Sequence, residues 1–372
     1  MKTLKYLVYP FSLLYGMIVT GRNFLFDIGI IRSHRFPLWV ISIGNLSVGG
    51  TGKSPHAEYI ARLLERLTKN YENLDLPFNK IAILSRGYGK ANSGFLLVNT
   101  TSTAKEVGDE PLQLKRRLDD VYVGVDEKRV NGIKTLLTLN PTLRAIVLDD
   151  AFQHRYVKRD ISILLTNYNA PFYKDCMLPA GRLREPRRGY KRAQFIIVTN
   201  TPPTITDIEK KLIQKDINPK HKQKVFYSSI LYQPLVPVFT SSATIPEIDK
   251  NCSVVLLTGI ANAHSLYNHL AEMARDVIHI PFPDHHVFNS SDIVKVSKSF
   301  DAISNPIKII ITTEKDAMRL QSGSLVTEFG AAPVYYLPIT VKVHEEDKLE
   351  EAIISGLHPL GTDKPIRKLV KR

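Results

Sequence analysis

The chain opens on an apolar run. Residues Tyr6–Val19 read YLVYPFSLLYGMIV, and Leu4, Leu7, Val8, Phe11, Leu14, Tyr15 and Ile18 recur at helical spacing. The run falls short of the ~20 apolar residues that a spanning helix needs, and Pro10 interrupts it. No small-residue cleavage site follows, so a secretory signal fits poorly. Apolar bulk, aromatic rings and the flanking Lys2, Lys5 and Arg22 suit a helix lying in a membrane interface. A buried first helix of the core is the alternative. A second apolar stretch, Phe24–Ile31, is broken by Asp27 and followed by Arg32 and Arg35, which suit anionic headgroups.

From Leu38 onward, short apolar runs alternate with helical patterns. The runs Leu38–Ile43, Ile81–Leu84, Val121–Val125, Ala145–Leu148, Ile161–Leu165 and Phe195–Val198 predict strands. Between the first two, Ala57, Ile60, Ala61, Leu64 and Leu67 predict a helix over Pro55–Leu67, with the proline tolerated in its first turn. Such alternation argues for an α/β fold, a mostly parallel sheet with helices on both faces. The segment Thr201–Lys224 is polar and Lys-rich, and Val225–Thr240 is strand-like but broken by Pro234 and Pro237. A second set of units follows. Val254–Leu257, Val277–Ile280, Ile307–Ile311 and Val334–Leu337 predict strands, and Ala263–Ala274 and Glu345–Leu357 predict helices. The expected organisation is an N-terminal interfacial helical segment over 1–35, a core over 36–235, and a smaller C-terminal α/β domain over 236–372 with a basic tail, Lys364–Arg372.

Composition adds little until charge is counted. Of 372 residues, 44% are hydrophobic and 23% charged, an ordinary globular balance. Cys176 and Cys252 are the only cysteines, which excludes a disulfide framework or a Cys-rich zinc site and points to a reducing compartment. The 50 basic against 36 acidic residues give a formal charge of +14, which favours anionic partners. No nucleic-acid-binding motif accompanies it, so membrane or phosphate is favoured over nucleic acid.

The strongest local signal is Gly44-Asn-Leu-Ser-Val-Gly-Gly-Thr-Gly-Lys-Ser54, between the first predicted strand and the helix at Pro55. Strand, glycine loop and helix in that order are the context of a P-loop. Gly49, Gly50, Thr51 and Gly52 would bring backbone N–H groups to a polyphosphate at a helix N-terminus. Lys53 would reach the β/γ-phosphates, and Ser54 would ligate Mg²⁺. The strict G-x-x-x-x-G-K-[ST] pattern fails at Ser47, so the loop falls in the G-G-x-G-K-[ST] subclass. The strand Ala145–Leu148 ends in Asp149-Asp150, carboxylates placed to hold Mg²⁺ or its waters. ATP and Mg²⁺ are the cofactors expected.

Taken in order, the motifs resemble one family, the tetraacyldisaccharide 4'-kinases of Gram-negative bacteria. They are Pro10–Gly16, Gly44-Asn-Leu with Gly-Gly-Thr-Gly-Lys-Ser-Pro55, Ser85-Arg-Gly-Tyr-Gly89, Val107-Gly-Asp-Glu-Pro111 and Asp149-Asp-Ala-Phe-Gln-His154. Then come Leu178-Pro-Ala-Gly-Arg-Leu-Arg-Glu-Pro186, Gly259-Ile-Ala261, Phe282-Pro-Asp-His-His286 and Thr313-Glu-Lys-Asp-Ala317. The resemblance covers most of the chain. It implies a P-loop fold and transfer of the ATP γ-phosphate to the 4'-hydroxyl of a tetraacyldisaccharide 1-phosphate. It also implies a monotopic or peripheral protein on the cytoplasmic face of the inner membrane, with no obligatory protein partner.

On the same resemblance, Asp109 matches the family's base and His285 the histidine paired with it, alongside Lys53, Asp149 and Asp150 in the catalytic set. Arg184 is expected on a phosphate of ATP or substrate, and Glu185 on Mg²⁺. Arg86 and Arg129 are further phosphate clamps, and Gln153 and His154 would face the acceptor sugar. Thr313-Glu-Lys-Asp316 is read as structural. Two other classes compete. A P-loop ATPase or GTPase switch or metallochaperone shares the glycine loop, but many such ATPases carry a lysine where this chain has Val48. A non-catalytic membrane module on a P-loop fold would not need Lys53, Ser54 and both aspartates.

Overall fold

The computed structural model describes residues 2–70, 81–239, 246–321, 325–330 and 332–357. The basic tail Lys364–Arg372 lies outside the described residues, as do the side chains of Lys2, Leu4, Lys5 and Leu7. Helix α1 (Lys2–Asp27) precedes β1 (Trp39–Asn45), α2 (Lys53–Asn70), β2 (Ile81–Ser85), β3 (Leu96–Val98), α3 (Ala104–Val107), α4 (Asp109–Arg117), β4 (Tyr122–Val125) and α5 (Arg129–Leu139). Then come β5 (Ala145–Leu148), β6 (Ile161–Asn167), β7 (Phe195–Thr199), α6 (Asp207–Ile217), β8 (Lys224–Tyr232) and β9 (Val236–Pro237). The second half forms β10 (Ser253–Thr258), α7 (His264–Met273), β11 (Asp276–Pro281), α8 (Ser290–Asp301), β12 (Lys308–Thr313), α9 (Glu314–Leu320), α10 (Leu325–Glu328), β13 (Val334–Leu337), β14 (Ile339–Val343) and α11 (Glu346–Gly356).

The first sheet runs β14-β8-β7-β6-β1-β5-β2-β4-β3 and the second β11-β10-β12-β13-β9. Strand β1 pairs in parallel with β5 on one side and β6 on the other. Every residue of β1 is buried, as expected of a parallel strand covered on both faces. Ala57, Ile60, Ala61 and Leu64 of α2 join Ile41, Ile43, Ile83 and Val147 in one core layer. Ile133 and Leu136 of α5 join Ala82, Leu84, Ile146 and Leu148 in the other. The first layer continues into the second sheet through Val255, Leu257, Ile310, Ile293 and Val296.

Three elements depart from the expected reading. Helix α1 continues through Pro10. A proline removes one backbone hydrogen bond, and the loss is tolerated here in a long helix held between Ser12 and Asp27 by the body of the protein. Ser12 Oγ accepts from Ala180 N at 3.0 Å, and Arg155 bonds Asn23 O at 2.8 Å and Asp27 at 2.6 Å. Second, the polar segment after residue 201 contains α6, started by a capping box of Thr206 and Glu209. Third, the chain returns to the first sheet after β13. Strand β14 pairs antiparallel with β8, and Leu349, Ala352 and Ile353 of α11 are buried in the first core layer. Residues 339–357 therefore pack on the sheet that the sequence reading ended at 235.

Helix α1 also exposes many of its apolar residues, although Val19 and Phe26 are buried. Phe11, Met17 and Ile18 are each 64% exposed, Leu14 52% and Phe24 57%, while polar Ser12 is buried. The predicted stripe of Phe11, Leu14 and Ile18 therefore faces away from the core. No helix among the described residues is long and apolar enough to cross a membrane.

Candidate active site

The glycine loop follows β1. Gly44 has no room for a side chain, since a Cβ there would meet the Phe152 backbone nitrogen at 2.8 Å. That close approach seats the end of β1 against the turn after β5. Gly49 and Gly52 take φ of 106° and 75°, conformations that cost glycine little. Asn45 Nδ2 donates to Thr51 Oγ1 at 2.8 Å inside the loop. His56 is buried one turn into α2, its Nδ1 2.6 Å from Gly52 O and its Nε2 2.9 Å from Ser228 Oγ. Burial outweighs the Gly52 carbonyl and lowers its pKa to about 4.

Lys53 and Ser54 begin α2 and meet the predicted aspartates. Lys53 Nζ lies 3.9 Å from Asp150 Oδ2, and Arg184 Nη1 lies 3.0 Å from both Asp150 oxygens. Asp150 has φ of 46°, a region a non-glycine residue enters only under constraint and often at functional sites. The Ser54 hydroxyl lies 3.3 Å from Asp149 Oδ2 and 2.6 Å from Glu110 Oε2. Asp149 is buried and its Oδ1 has no hydrogen-bond partner. Burial first, then the charges of Glu110 and Asp150, push its carboxyl up to about 7. Buried carboxylates normally have partners. The orphaned oxygen leaves a lone pair free for a donor or a hard cation.

Magnesium fits that place. Ser54, Asp149 and Glu110 present hard oxygen donors, and Mg²⁺ is usually held by one or two carboxylates, waters and substrate phosphates. Among the described residues, no group of three or more His, Cys, Asp or Glu is placed to hold a metal ion by itself.

Asp109 and Glu110 open α4 behind Gly108, whose φ is 91°. A helix N-terminus favours carboxylates. Each is also met by a cation from α9, Asp109 by Arg319 and Glu110 by Lys315. His285, in the turn after β11 with φ of 58°, places Nδ1 3.5 Å from Asp109 Oδ2 and 3.1 Å from Arg319 Nη2. Burial raises Asp109, but the neighbouring His285 and the Arg319 and Lys315 charges outweigh it and hold its carboxyl well below the usual range. The adjacent Asp109 carboxylate raises His285 against some desolvation. Burial likewise raises Glu110, and Lys315 more than reverses it. Glu110, Lys315 and Arg319 escaped the sequence reading, although Glu110 adjoins Asp109 and both cations sit in or beside the Thr313 motif read as structural. His286 turns away to Asp292 Oδ2 at 2.8 Å and ends in the cap of α8.

The remaining expectations divide. Glu185 is met by the protein's own side chains. It is 0% exposed, and its carboxylate is taken by Arg192 at 2.9 and 2.7 Å, Gln153 at 2.9 Å and Asn23 at 3.2 Å. The Gln153 amide nitrogen serves that contact and donates to Asn45 O at 2.7 Å. Arg129 is also held by the protein itself. It is buried, and its guanidinium bonds the Asp126 and Asp149 carbonyls at 2.8 Å each. Arg86 lies exposed just past β2. His154 Nε2 is buried without a partner, and burial, then Arg129, lowers its pKa to about 4.

The chain is similar to known proteins over nearly its whole length. The family model described as tetraacyldisaccharide-1-P 4'-kinase matches residues 4–358. The chain is 42% identical to the tetraacyldisaccharide 4'-kinase of Parabacteroides distasonis, over 97% of this chain and 96% of that one. It is also 42% identical to the same-named protein of Flavobacterium psychrophilum, over 98% of this chain and all of that one. Its fold is similar to a crystal structure of LpxK from Aquifex aeolicus in complex with ATP, with a TM-score of 0.70 and 29% identity over 95% of this chain and 100% of that one. The chain belongs to the tetraacyldisaccharide-1-P 4'-kinase family.

Proposed function

We propose that this protein is the ATP-dependent kinase that phosphorylates the 4'-hydroxyl of a tetraacyldisaccharide 1-phosphate in lipid A biosynthesis. The observation that carries the reading is that the Lys53–Ser54 loop meets the Asp149-Asp150 tip and that Glu110, the neighbour of Asp109 in the Asp109–His285 pair, also reaches Ser54. A switch ATPase has no use for a carboxylate–imidazole pair beside its phosphate loop. An acceptor hydroxyl does.

In this reading the backbone N–H groups from Gly49 to Ser54 receive the phosphates, with Lys53 and Arg184 supplying positive charge. Magnesium, held by Ser54, Asp149 and Glu110, would neutralise phosphate charge and fix the nucleotide's orientation. The 4'-oxygen forms the new bond to the γ-phosphorus, the bond to the β,γ-bridging oxygen breaks, and ADP leaves. The hydroxyl proton passes to the acceptor-side pair. Asp109, held ionised, orients the hydroxyl as hydrogen-bond acceptor. His285, raised by that same carboxylate, is the better resting place for the proton.

The exposed apolar face of α1 supports work at a membrane surface, on the cytoplasmic face where ATP is found. Amphipathic helices bury such faces at the headgroup boundary. Helix α1 reaches the site directly, since Tyr15 OH donates to Arg184 O at 2.9 Å and Arg22 to Gln153 O at 3.2 Å.

The test is γ-labelled ATP with Mg²⁺ and the disaccharide acceptor in micelles. Label in the lipid fraction, absent in Lys53→Ala, supports the kinase. ATP consumption without labelled lipid contradicts it.

A further inference from the structure

Helix α9 belongs to the second sheet, yet it touches both acidic residues that open α4. Lys315 and Arg319 lie one turn apart, on the same face of the helix, and meet the adjacent carboxylates Glu110 and Asp109. The two helices are also tied farther along α4, where Arg117 pairs with Glu314 at 2.6 Å and Gln113 Nε2 donates to Glu314 Oε2 at 2.8 Å. Arg319 is itself held. Its Nη1 donates to Asp316 Oδ1 at 2.7 Å and to Gly259 O at 2.9 Å, and Asp316 Oδ2 accepts from Gly259 N at 2.9 Å and Thr313 Oγ1 at 2.7 Å. A guanidinium pinned on one nitrogen aims the other. Here the other, Nη2, faces Asp109 and, at 3.1 Å, His285 Nδ1.

Arginine only donates hydrogen bonds. While Arg319 contacts Nδ1, that nitrogen accepts and the neutral imidazole carries its proton on Nε2. The Asp109 carboxylate, 3.5 Å from the same Nδ1, is the alternative partner once Nδ1 is protonated. Tyr88, with its ring 5.2 Å from the imidazole, and Asp284, 3.9 Å from Nε2, complete the surroundings.

We propose that Arg319 is the positioning residue of the acceptor-side pair, holding the Asp109 carboxylate and fixing the His285 tautomer with its proton on Nε2, while Lys315 holds Glu110 beside Ser54. Helix α9 is thus a two-point clamp that sets the acceptor and phosphate sides of the site in register across the two sheets. The catalytic part of this inference rests on the kinase reading, but the tautomer does not.

The tautomer is read by ¹⁵N NMR of the full chain labelled in histidine, with His285→Gln used to assign the signal. In the native chain the neutral ring should show Nε2–H, and Arg319→Gln should move it toward Nδ1–H, bonded to Asp109. An unchanged tautomer in a folded Arg319→Gln overturns the proposal. Kinetics give the second readout. Arg319→Gln should lower kcat about 10–100-fold, the scale of a charged hydrogen bond, with KM for ATP within about twofold. Arg319→Lys, which keeps the charge, should recover part of that loss. Lys315→Met should instead raise KM for ATP roughly tenfold, the scale of one charged hydrogen bond. Loss confined to KM in Arg319→Gln, or no recovery by a folded Arg319→Lys, contradicts the assignment. If the native chain transfers no phosphate, the kinase reading fails and the NMR result still decides the clamp.

Discussion

The Ser54 hydroxyl donates to Glu110 Oε2 at 2.6 Å, joining the first turn of α2 to the first turn of α4. No other carboxylate is closer to the phosphate-loop serine among the contacts of Ser54, since Asp149 stands at 3.3 Å. Glu110→Gln keeps the shape and removes the charge. The expected result is a fold near native stability, kcat/KM for ATP lowered roughly 10–100-fold, and a higher Mg²⁺ concentration needed for half-maximal rate. Mg²⁺ titrations at fixed ATP measure this. An unchanged Mg²⁺ requirement would remove Glu110 from the phosphate site.

Glu185 has the opposite character. Its carboxylate is fully buried and paired to Arg192. Arg192→Met leaves that charge unpaired, and stability should fall by about 3–5 kcal/mol, as when one partner of a buried pair is removed. Urea unfolding checks the loss. Glu185→Gln should leave the Mg²⁺ requirement unchanged in whatever fraction folds, whereas a metal ligand would raise it.

Acid should weaken the fold through histidine. His56 titrates at about 4 in the folded chain against 6.5 ordinarily, because burial disfavours its charged form. Its folded pKa is depressed, so the unfolded chain takes up the proton first. The stability it contributes is whole above pH 6.5 and is lost as pH falls toward 4, by an amount on the order of 3 kcal/mol. His154 acts in the same direction. Asp149, raised to about 7, acts in the opposite one. The difference between native and His56→Gln isolates the first contribution. The variant should lose less stability than the native chain between pH 7 and 5 in urea unfolding. Equal slopes would mean His56 is not held neutral.

Membrane attachment should depend on residues that serve no core. Phe11, Met17 and Ile18 are exposed on α1. Burying each in an interface is worth at most about 1.5–3 kcal/mol. Phe11→Ser together with Ile18→Ser should lower sedimentation with anionic vesicles by tenfold or more, with thermal stability unchanged. Undiminished binding would place the contact surface elsewhere.

The sheets were legible because buried parallel strands are unbroken apolar runs. Ala145–Leu148 and Val334–Leu337 match their strands end to end. The glycine loop was legible because its chemistry lies in consecutive residues. Ile339–Val343 went unread because its partner, β8, lies over a hundred positions earlier in the chain. The direction of α1 was hidden for a different reason. Periodicity finds an apolar face but not what covers it, and here the protein takes the face carrying Ser12, Tyr15 and Asn23. The partners of Glu185 were not legible, because Arg192 meets it only in the folded chain. Arg319 lies 210 positions from Asp109 and His285 lies 34 from Arg319. Only the packing of α9 on α4 makes that triad visible.

The most direct measurement of the central claim is the position of the transferred phosphate. The lipid product made with Mg²⁺ and ATP is isolated and its phosphate located by ³¹P–¹H correlation NMR, with Lys53→Ala as the blank. The expected result is one new phosphomonoester correlated to the 4'-proton of the disaccharide, made by the native chain and missing in the blank. Phosphate on another oxygen would contradict the assigned acceptor geometry. Free inorganic phosphate with unmodified lipid would contradict the kinase itself.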